Sequence, residues 1–448
     1  MTEDMLEANA MERATARPHS TFPFNRLPRE IIAEIFCNFV HGPRETVWIS
    51  ASSAPLLLCR VCSSWRALAQ VTPALWTSIG IRTINQNDID QLICTRINPW
   101  LERSGTLPLT VTIDQIHYGD PSSRPNVLDA ILIALCSHSS RWQNVDITAW
   151  VPVALPQLEV LPLLREFHLR LFIPEEFKNV ISLPFSESPR LTRLSWPHPL
   201  DVLTDPRVPW SQMSHLCLAT EISLFSALET IRLCPQLEDF ATSISEENHG
   251  YRHPTTVENH RLRTLEISFG TDCSPFFDSL FLPRLSECSL MGTTSDGTSG
   301  HRAFLDFLTR SNCELHRLDL CFCAFGPFVE CLEHKSFKNL ENLKIEELPR
   351  FTDVELIGLV DFPSPGPRVL LPKLTHLTLV CCLYASKGLL AEMVRSRRHQ
   401  QDGREAEPLQ YIHVVNDALY EEDVNFIEDE IKGGFNGRVD VTELIYHL

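Results

Sequence analysis

The chain has 448 residues and a mass of 51.0 kDa, with 44% apolar and 21% charged residues. That composition excludes a mainly disordered or collagen-like polypeptide and leaves room for two or three domains or one long repeat array. Acidic residues exceed basic ones by 57 − 39 = 18, which argues against nucleic acid as a partner, because that binding needs surplus Lys and Arg to displace counterions. Proline (31) outnumbers glycine (17), so tight loops that cradle phosphates are scarce.

In chain order, residues 1–21 are small, polar and charged and are expected to be disordered. They hold no apolar core of a secretory signal, and the densest apolar stretch, VLDAILIALC at 127–136, is far short of the ~20 residues that span a bilayer. Neither membrane insertion nor export is expected. The fifteen cysteines are therefore read as free thiols of a reducing compartment, cytoplasm or nucleus. Cys59 and Cys62 read as two buried thiols on a helix, and the basic cluster Arg395, Arg397 and Arg398 as a solvated helix end.

Order is expected from Phe22 and Phe24 onward. Apolar residues at Ile31, Ile32, Ile35, Phe36, Phe39 and Val40 paint a helix over 28–40, with Pro28 suited to its first turn. Residues 44–54 read as a loop. A second helix over 55–69 carries Leu58, Val61, Cys62, Trp65 and Leu68, and Pro73-Ala74-Leu75-Trp76 closes the unit. So small an all-helical unit makes a weak core and is expected to lean on a partner or on the domain that follows.

The runs LPREIIAEIF, LCRVCSSWRALA and PALW resemble the F-box motif, with Leu27, Pro28, Ile31, Ile35, Val61, Cys62, Trp65, Arg66, Leu75 and Trp76 in the expected order. The resemblance covers residues 24–76 and departs from the commonest pattern in its longer inter-helix loop, His41 to Ala54. It implies a domain over 22–77 that docks on a Skp-type adaptor and, through it, on a cullin scaffold. Leu27, Pro28, Ile31, Ile35, Leu58, Val61, Cys62 and Trp65 would form the adaptor-binding face; the plainer alternative is that they are core.

Beyond residue 78 a hexad, L-x-x-Φ-x-Φ, recurs. It starts at Leu164, Leu191, Met213, Leu237, Leu262, Leu285, Leu315, Leu340, Leu374 and Leu409, with weaker versions at Trp76, Pro108 and Trp142. Three apolar positions alone would recur about 38 times by chance at this composition. Regular spacing of 22 to 35 residues and a nearly constant leading leucine raise the pattern above that level. Five windows also share a proline two residues ahead: Pro162, Pro189, Pro235, Pro283 and Pro372. One phase for five prolines predicts a repeated turn into a strand. Helical spacing at 226–234, 301–310, 354–360 and 388–394 fills the gaps, and Thr352 with Glu355 can form a capping box.

This region resembles the irregular leucine-rich repeats of many F-box proteins. Where that family often carries Asn or Cys, this chain has Cys323 and Cys382, read as packing residues, but Phe172, Pro199 and Leu348 elsewhere. The expected fold class is α/β: a small all-α F-box module followed by a leucine-rich-repeat solenoid over 78–448. Its parallel sheet would line a concave face and its helices the convex one, with an acidic cap over 401–448.

The third hexad residues, Glu166, Arg193, His215, Asp239, Thr264, Glu287, Arg317, Asn342, His376 and Tyr411, are expected on the concave face. Arg193, His215, Asp239, Glu287, Arg317, Asn342, His376 and Tyr411 are the candidate substrate-binding residues. Arg317 with His376 could form half of an anion site. From residue 401 onward 12 acids face 3 bases, a net of 3 − 12 = −9, expected either as a polar outer cap or as a contact for a basic partner.

No phosphate-binding loop, dinucleotide fingerprint, zinc-protease or serine-hydrolase motif occurs. The run MGTTSDGTSG at 291–300 lacks the lysine and spacing of a phosphate loop and reads as flexible. The expectation is a non-catalytic receptor subunit of a cullin-RING ubiquitin ligase that holds an unidentified protein substrate, without metal or cofactor. A repeat scaffold or inhibitor acting outside any ligase is the alternative.

Overall fold

The computed structural model describes residues 27–40, 46–82, 93–115, 126–150, 156, 158, 160–172, 187–197, 208–245, 256–270, 272–292, 298–323, 325–326, 328–362, 368–398 and 406–441. The N-terminal segment expected to be disordered, and Phe22 and Phe24, lie outside them. The chain divides into two units, Met1–Leu155 and Pro156–Leu448; residue 77, the expected end of the helical domain, falls inside the first.

In the first unit α1 (Arg29–Val40) buries Ile32, Phe36 and Val40. The Phe36 ring meets that of Trp65 with centroids 4.8 Å apart. The predicted single helix over 55–69 is instead two, α2 (Leu58–Val61) and α3 (Ser63–Gln70). Cys62 breaks them by adopting an extended backbone, and its sulfur accepts the Trp65 N–H at 3.5 Å. A helix start needs an acceptor for its first amides, and here a thiol supplies it. The 3-10 turn Pro73–Trp76 follows. Trp76 is fully buried and donates from Nε1 to the Ala69 carbonyl at 2.8 Å, so the indole closes the helical part and anchors the strand after it.

That strand, β1 (Ser78–Arg82), pairs in parallel with β2 (Leu109–Asp114), and β2 with β3 (Trp142–Ala149). Helices α4 (Asn98–Arg103) and α5 (Asn126–Cys136) fall between them in the chain. The other edge of β1 is not bare. Trp48 bridges Gly80 in parallel, with the Gly80 N–H donating to the Val47 carbonyl at 2.6 Å and the Ile49 N–H to the Gly80 carbonyl at 2.8 Å. Arg82 lies 4.0 Å over the Trp48 ring. A Cβ on Gly80 would come within 2.8 Å of the Val47 carbonyl oxygen. The long inter-helix loop, read as irregular, thus covers a strand edge that would otherwise invite pairing with another chain.

The second unit repeats one motif. Strands β4 (Glu166–Leu171), β5 (Arg193–Trp196), β6 (His215–Ile222), β7 (Asp239–Ile244), β8 (Thr264–Phe269), β9 (Glu287–Gly292), β10 (Arg317–Cys321), β11 (Asn342–Glu346), β12 (His376–Val380), β13 (Tyr411–Asn416) and β14 (Asn436–Val441) each pair in parallel with the next. The ten hexads seed β4 to β13, and each strand begins at the third hexad residue. The first, fourth and sixth positions of all ten windows are buried. A fully buried leucine contributes roughly 1.5–3 kcal/mol, so this row is the core.

The helices between strands are α6 (Leu224–Leu233), α7 (Ser274–Asp278), α8 (Thr298–Ser311), α9 (Phe328–Leu332), α10 (Asp353–Leu359), α11 (Leu389–Arg398) and α12 (Glu421–Lys432). Helices α9 to α12 pack side by side in chain order. The capping box forms: the Thr352 N–H donates to Glu355 at 2.8 Å, and the Thr352 hydroxyl accepts from the Val354 N–H at 3.4 Å. The fold is therefore α/β, with fourteen main parallel strands in chain order among the described residues, three in the first unit and eleven in the second, and two further short parallel pairs, Val257–Glu258 with Leu280–Phe281 and Phe351–Thr352 with Leu383–Tyr384.

The five phased prolines share one geometry. Each sits second in a four-residue turn closed by the N–H of the hexad's first leucine: Leu164 to Leu161, Leu191 to Ser188, Leu237 to Cys234, Leu285 to Leu282 and Leu374 to Leu371, at 3.0–3.3 Å. Proline's fixed φ suits that position, and its missing N–H is not needed there. The repeat beginning at Leu262 has no proline. Asn259, buried, accepts the Leu262 N–H at 3.0 Å and donates to the Cys234 carbonyl at 3.1 Å, so its side chain replaces the turn.

Candidate functional site: two solvent-facing surfaces

The first surface belongs to the helical part of the first unit. One side of α1 is buried; the adjacent stripe, Ile31 (49% exposed), Ile35 (41%) and Phe39 (63%), is not. The i, i+4, i+8 spacing makes it a continuous apolar line. Val61, 55% exposed, Pro28 and Cys62 are also open to solvent, while Leu27 and Trp65 are half-buried. Leu58 differs from its expected role: it is buried and packs as core. Cys59 and Cys62 do not form the expected buried pair, since Cys59 is half-buried and Cys62 exposed. The Ser64 hydroxyl, 3.1 Å from the Cys62 sulfur, and the Trp65 N–H hold the Cys62 thiol below its ordinary range, because donated hydrogen bonds favour the thiolate.

The second surface is the outward face of β4 to β14. All ten third-position residues fall in one unbroken register: Glu166 opposite Arg193, Arg193 opposite His215, then Asp239, Thr264, Glu287, Arg317, Asn342, His376 and Tyr411, with Asn436 added at the end. The eight candidate substrate-binding residues therefore lie along one line, from β5 to β13. Neighbours on it pair: Arg193 lies 3.6 Å from Glu166, His215 contacts Asp239, and the His376 and Tyr411 rings stack with centroids 5.9 Å apart.

Arg317 and His376 are not brought together. They are two strands apart, Arg317 donates to Asp319 at 2.8 Å, and His376 faces Tyr411. The half-anion site is therefore not built. Cys323 and Cys382 are packing residues: the thiol of Cys323 donates to the Leu290 carbonyl at 3.3 Å and that of Cys382 to the Ile345 carbonyl at 3.6 Å, each in the preceding repeat. Burial pushes Cys382 up to about 12.

Several of the described C-terminal acids are committed within the chain. Asp423 is buried and accepts from the Gly388 and Ala391 amides at 3.0 and 2.8 Å, capping α11. Glu430 pairs with Arg398 at 2.8 Å and Glu422 with Lys387 at 3.1 Å. The basic cluster is not the solvated end expected of it. Arg397 is buried and donates to the Leu371 carbonyl at 2.7 Å, and Arg395 lies 4.5 Å over the Phe426 ring. Asn416, missed in the sequence, is buried and bonds both to the Leu383 carbonyl at 3.0 Å and to the Leu383 N–H at 3.4 Å. Only its place at the end of a strand in the Asn/Cys region of the repeat could have flagged it.

Among the described residues no group of three or more His, Cys, Asp or Glu is placed to hold a metal ion, and no helix is long and apolar enough to cross a membrane. No protein-family profile matches this chain, and no curated protein is significantly similar to it.

Proposed function

We propose that this chain is a receptor subunit of a cullin-RING ubiquitin ligase, with an F-box in its first unit and leucine-rich repeats along its strands. The α1 stripe with Val61 docks a Skp-type adaptor, and the outward strand face takes a protein substrate. The observation that carries the reading is the apolar line Ile31, Ile35 and Phe39, left uncovered beside the buried stripe of one short helix. Exposed apolar residues clustered on a small unit mark an interface. The motif order LPREIIAEIF, LCRVCSSWRALA, PALW supports assigning that interface to an adaptor. In this reading the chain performs no bond chemistry: it holds a substrate near the ubiquitin-charged enzyme and raises its effective concentration.

Co-purification of the full chain with a Skp-type adaptor tests the proposal. The double substitution Ile31→Asp with Val61→Asp changes exposed positions only, so thermal unfolding is expected to match the parent. Adaptor affinity is expected to fall at least about a hundredfold, the usual loss when two central apolar contacts are replaced by charges. Unchanged adaptor binding overturns the docking face. Adaptor binding without ubiquitin transfer to any bound partner in a reconstituted ligase overturns the receptor role.

A further inference from the structure

Among the described residues the second unit ends on a strand with one open edge. β14 pairs with β13 over six registered residues without a shift, and no described segment pairs with its other side. Along the sheet the amide of the third hexad residue points back to the preceding strand. Arg193 donates to the Arg165 carbonyl, His215 to that of Thr192 and Tyr411 to that of Thr375, at 3.0–3.1 Å. Asn436 holds the same register position on β14, and alternate residues of a parallel strand turn their backbone groups to opposite neighbours. Asn436, Arg438 and Asp440 therefore turn theirs to β13. Consistent with that, the Ile412 carbonyl of β13 faces β14, within 2.7 Å of where a Cβ on Gly437 would lie. Gly437, Val439 and Val441 turn their N–H and C=O groups to the open edge. Proteins blunt such edges with proline, lysine or a bulge; β14 carries none of these.

The strand is also complementary to itself. Arg438 and Asp440 flank Val439 and share one face, their side chains 2.5 Å apart within the chain. Gly437 and Val441 lie one step further out, a residue without a side chain and an exposed apolar one. Antiparallel strands related by a two-fold axis set one residue opposite its own counterpart. Centred on Val439, that arrangement places Arg438 opposite Asp440 of the second copy, and Gly437 opposite Val441. Centred on Arg438 or Asp440 it opposes like charges, and centred on Gly437 or Val441 it opposes no acid to a base. The one register that joins opposite charges is thus centred on a residue whose backbone groups face the open edge.

We propose that two copies of this chain associate through β14, antiparallel about Val439, so that their sheets continue into one another. Val439 exchanges both backbone hydrogen bonds with its counterpart. Arg438 and Asp440 of the second copy then form the intervening pair without hydrogen bonds, whose Cα atoms lie about 4.5 Å apart and whose side chains are closest. Opposite charges in such a pair stabilise it, and like charges there destabilise it. The neighbouring helix raises no electrostatic barrier, because most acids of α12 are held by their own chain. Asp423 caps α11, Glu422 pairs with Lys387, Glu430 with Arg398, and Lys432 with Glu428 and Asp429. This association does not depend on the receptor reading above.

Sedimentation of the full chain over a range of concentrations tests this, and a reversible dimer is expected. Val439→Pro removes an amide that faces the edge and not β13, so thermal unfolding is expected to match the parent while the dimer is lost. Arg438→Asp alone sets acid against acid across the seam, and Asp440→Arg alone sets base against base. Each is expected to weaken self-association at least about tenfold. Mixing the two single variants restores opposite charges only between chains, since each has lost the pair within its own strand. The mixture is therefore expected to dimerise as the parent does. A parent that stays monomeric at every concentration overturns the proposal, as does a Val439→Pro variant that dimerises unchanged or a mixture that fails to recover. Association that appears only after residues 442–448 are removed also overturns it, because that tail and not a second copy would then occupy the edge.

Discussion

What surrounds a thiol sets its reactivity, and the cysteines of this chain span the range. Cys62 is exposed, and the hydrogen bonds it receives from Ser64 and Trp65 keep it below the ordinary thiol range. Cys234 and Cys382 are buried without cations nearby, and desolvation pushes both up to about 12. Since only the thiolate attacks, brief alkylation of the native protein at pH 8 is expected to modify Cys62 first and to leave Cys234 and Cys382 untouched until unfolding. Raising the pH speeds Cys62 labelling through a midpoint below the ordinary value, the sign set by stabilisation of the charged form. Peptide mass spectrometry reads the order; equal labelling of Cys62 and Cys382 would contradict the environments described. The spacing of Cys59 and Cys62 gave no warning of this. Helical periodicity places both on one face, whereas the extended backbone at Cys62 turns the second thiol into a cap.

At the scale of elements, the repeats hold one another by their ends. The first turn of α11 has its amides satisfied by Asp423, which belongs to α12 of the next repeat. Asp423→Ala leaves two amides without an acceptor and is expected to cost roughly 1–3 kcal/mol; Asp423→Asn keeps one acceptor oxygen and should recover part of the loss. Denaturant midpoints of the two variants check this, and equal midpoints would refute the capping role. Elements of this kind were legible where a local rule applies. Leucine at the first hexad position, proline two residues earlier, and Thr352 three before Glu355 each act through neighbours in sequence, and each is found as expected. What escaped was settled at long range. Arg397 reads as a solvated helix end because nothing local shows that the Leu371 carbonyl lies within its reach. Likewise Leu58 and Val61 share one helical pattern, and only packing decides that the first is core and the second exposed.

Over the whole molecule, the acid excess divides by use. In the C-terminal stretch Asp423 and Glu430 lie in contacts that join the last helices, while Asp239, Glu266 and Glu287 on β7, β8 and β9 have no cation on their own strands. The register of β4 to β13 could be read from the sequence because each of those strands begins at the third hexad residue; the sign of each stretch of face could not, because it depends on which neighbours pair. The same nearest-neighbour construction governs stability. Leu318, fully buried on β10, is registered between Cys288 on β9 and Leu343 on β11. In a stack of this kind stability is close to a sum of repeat terms and neighbour interfaces, so damage is local. Leu318→Ala is expected to cost roughly 2–5 kcal/mol, and hydrogen exchange should show lost protection in β9, β10 and β11 while β4 and β5 keep theirs. A domain with one central core would instead lose protection in all eleven strands together, so uniform loss would overturn the nearest-neighbour account of the second unit.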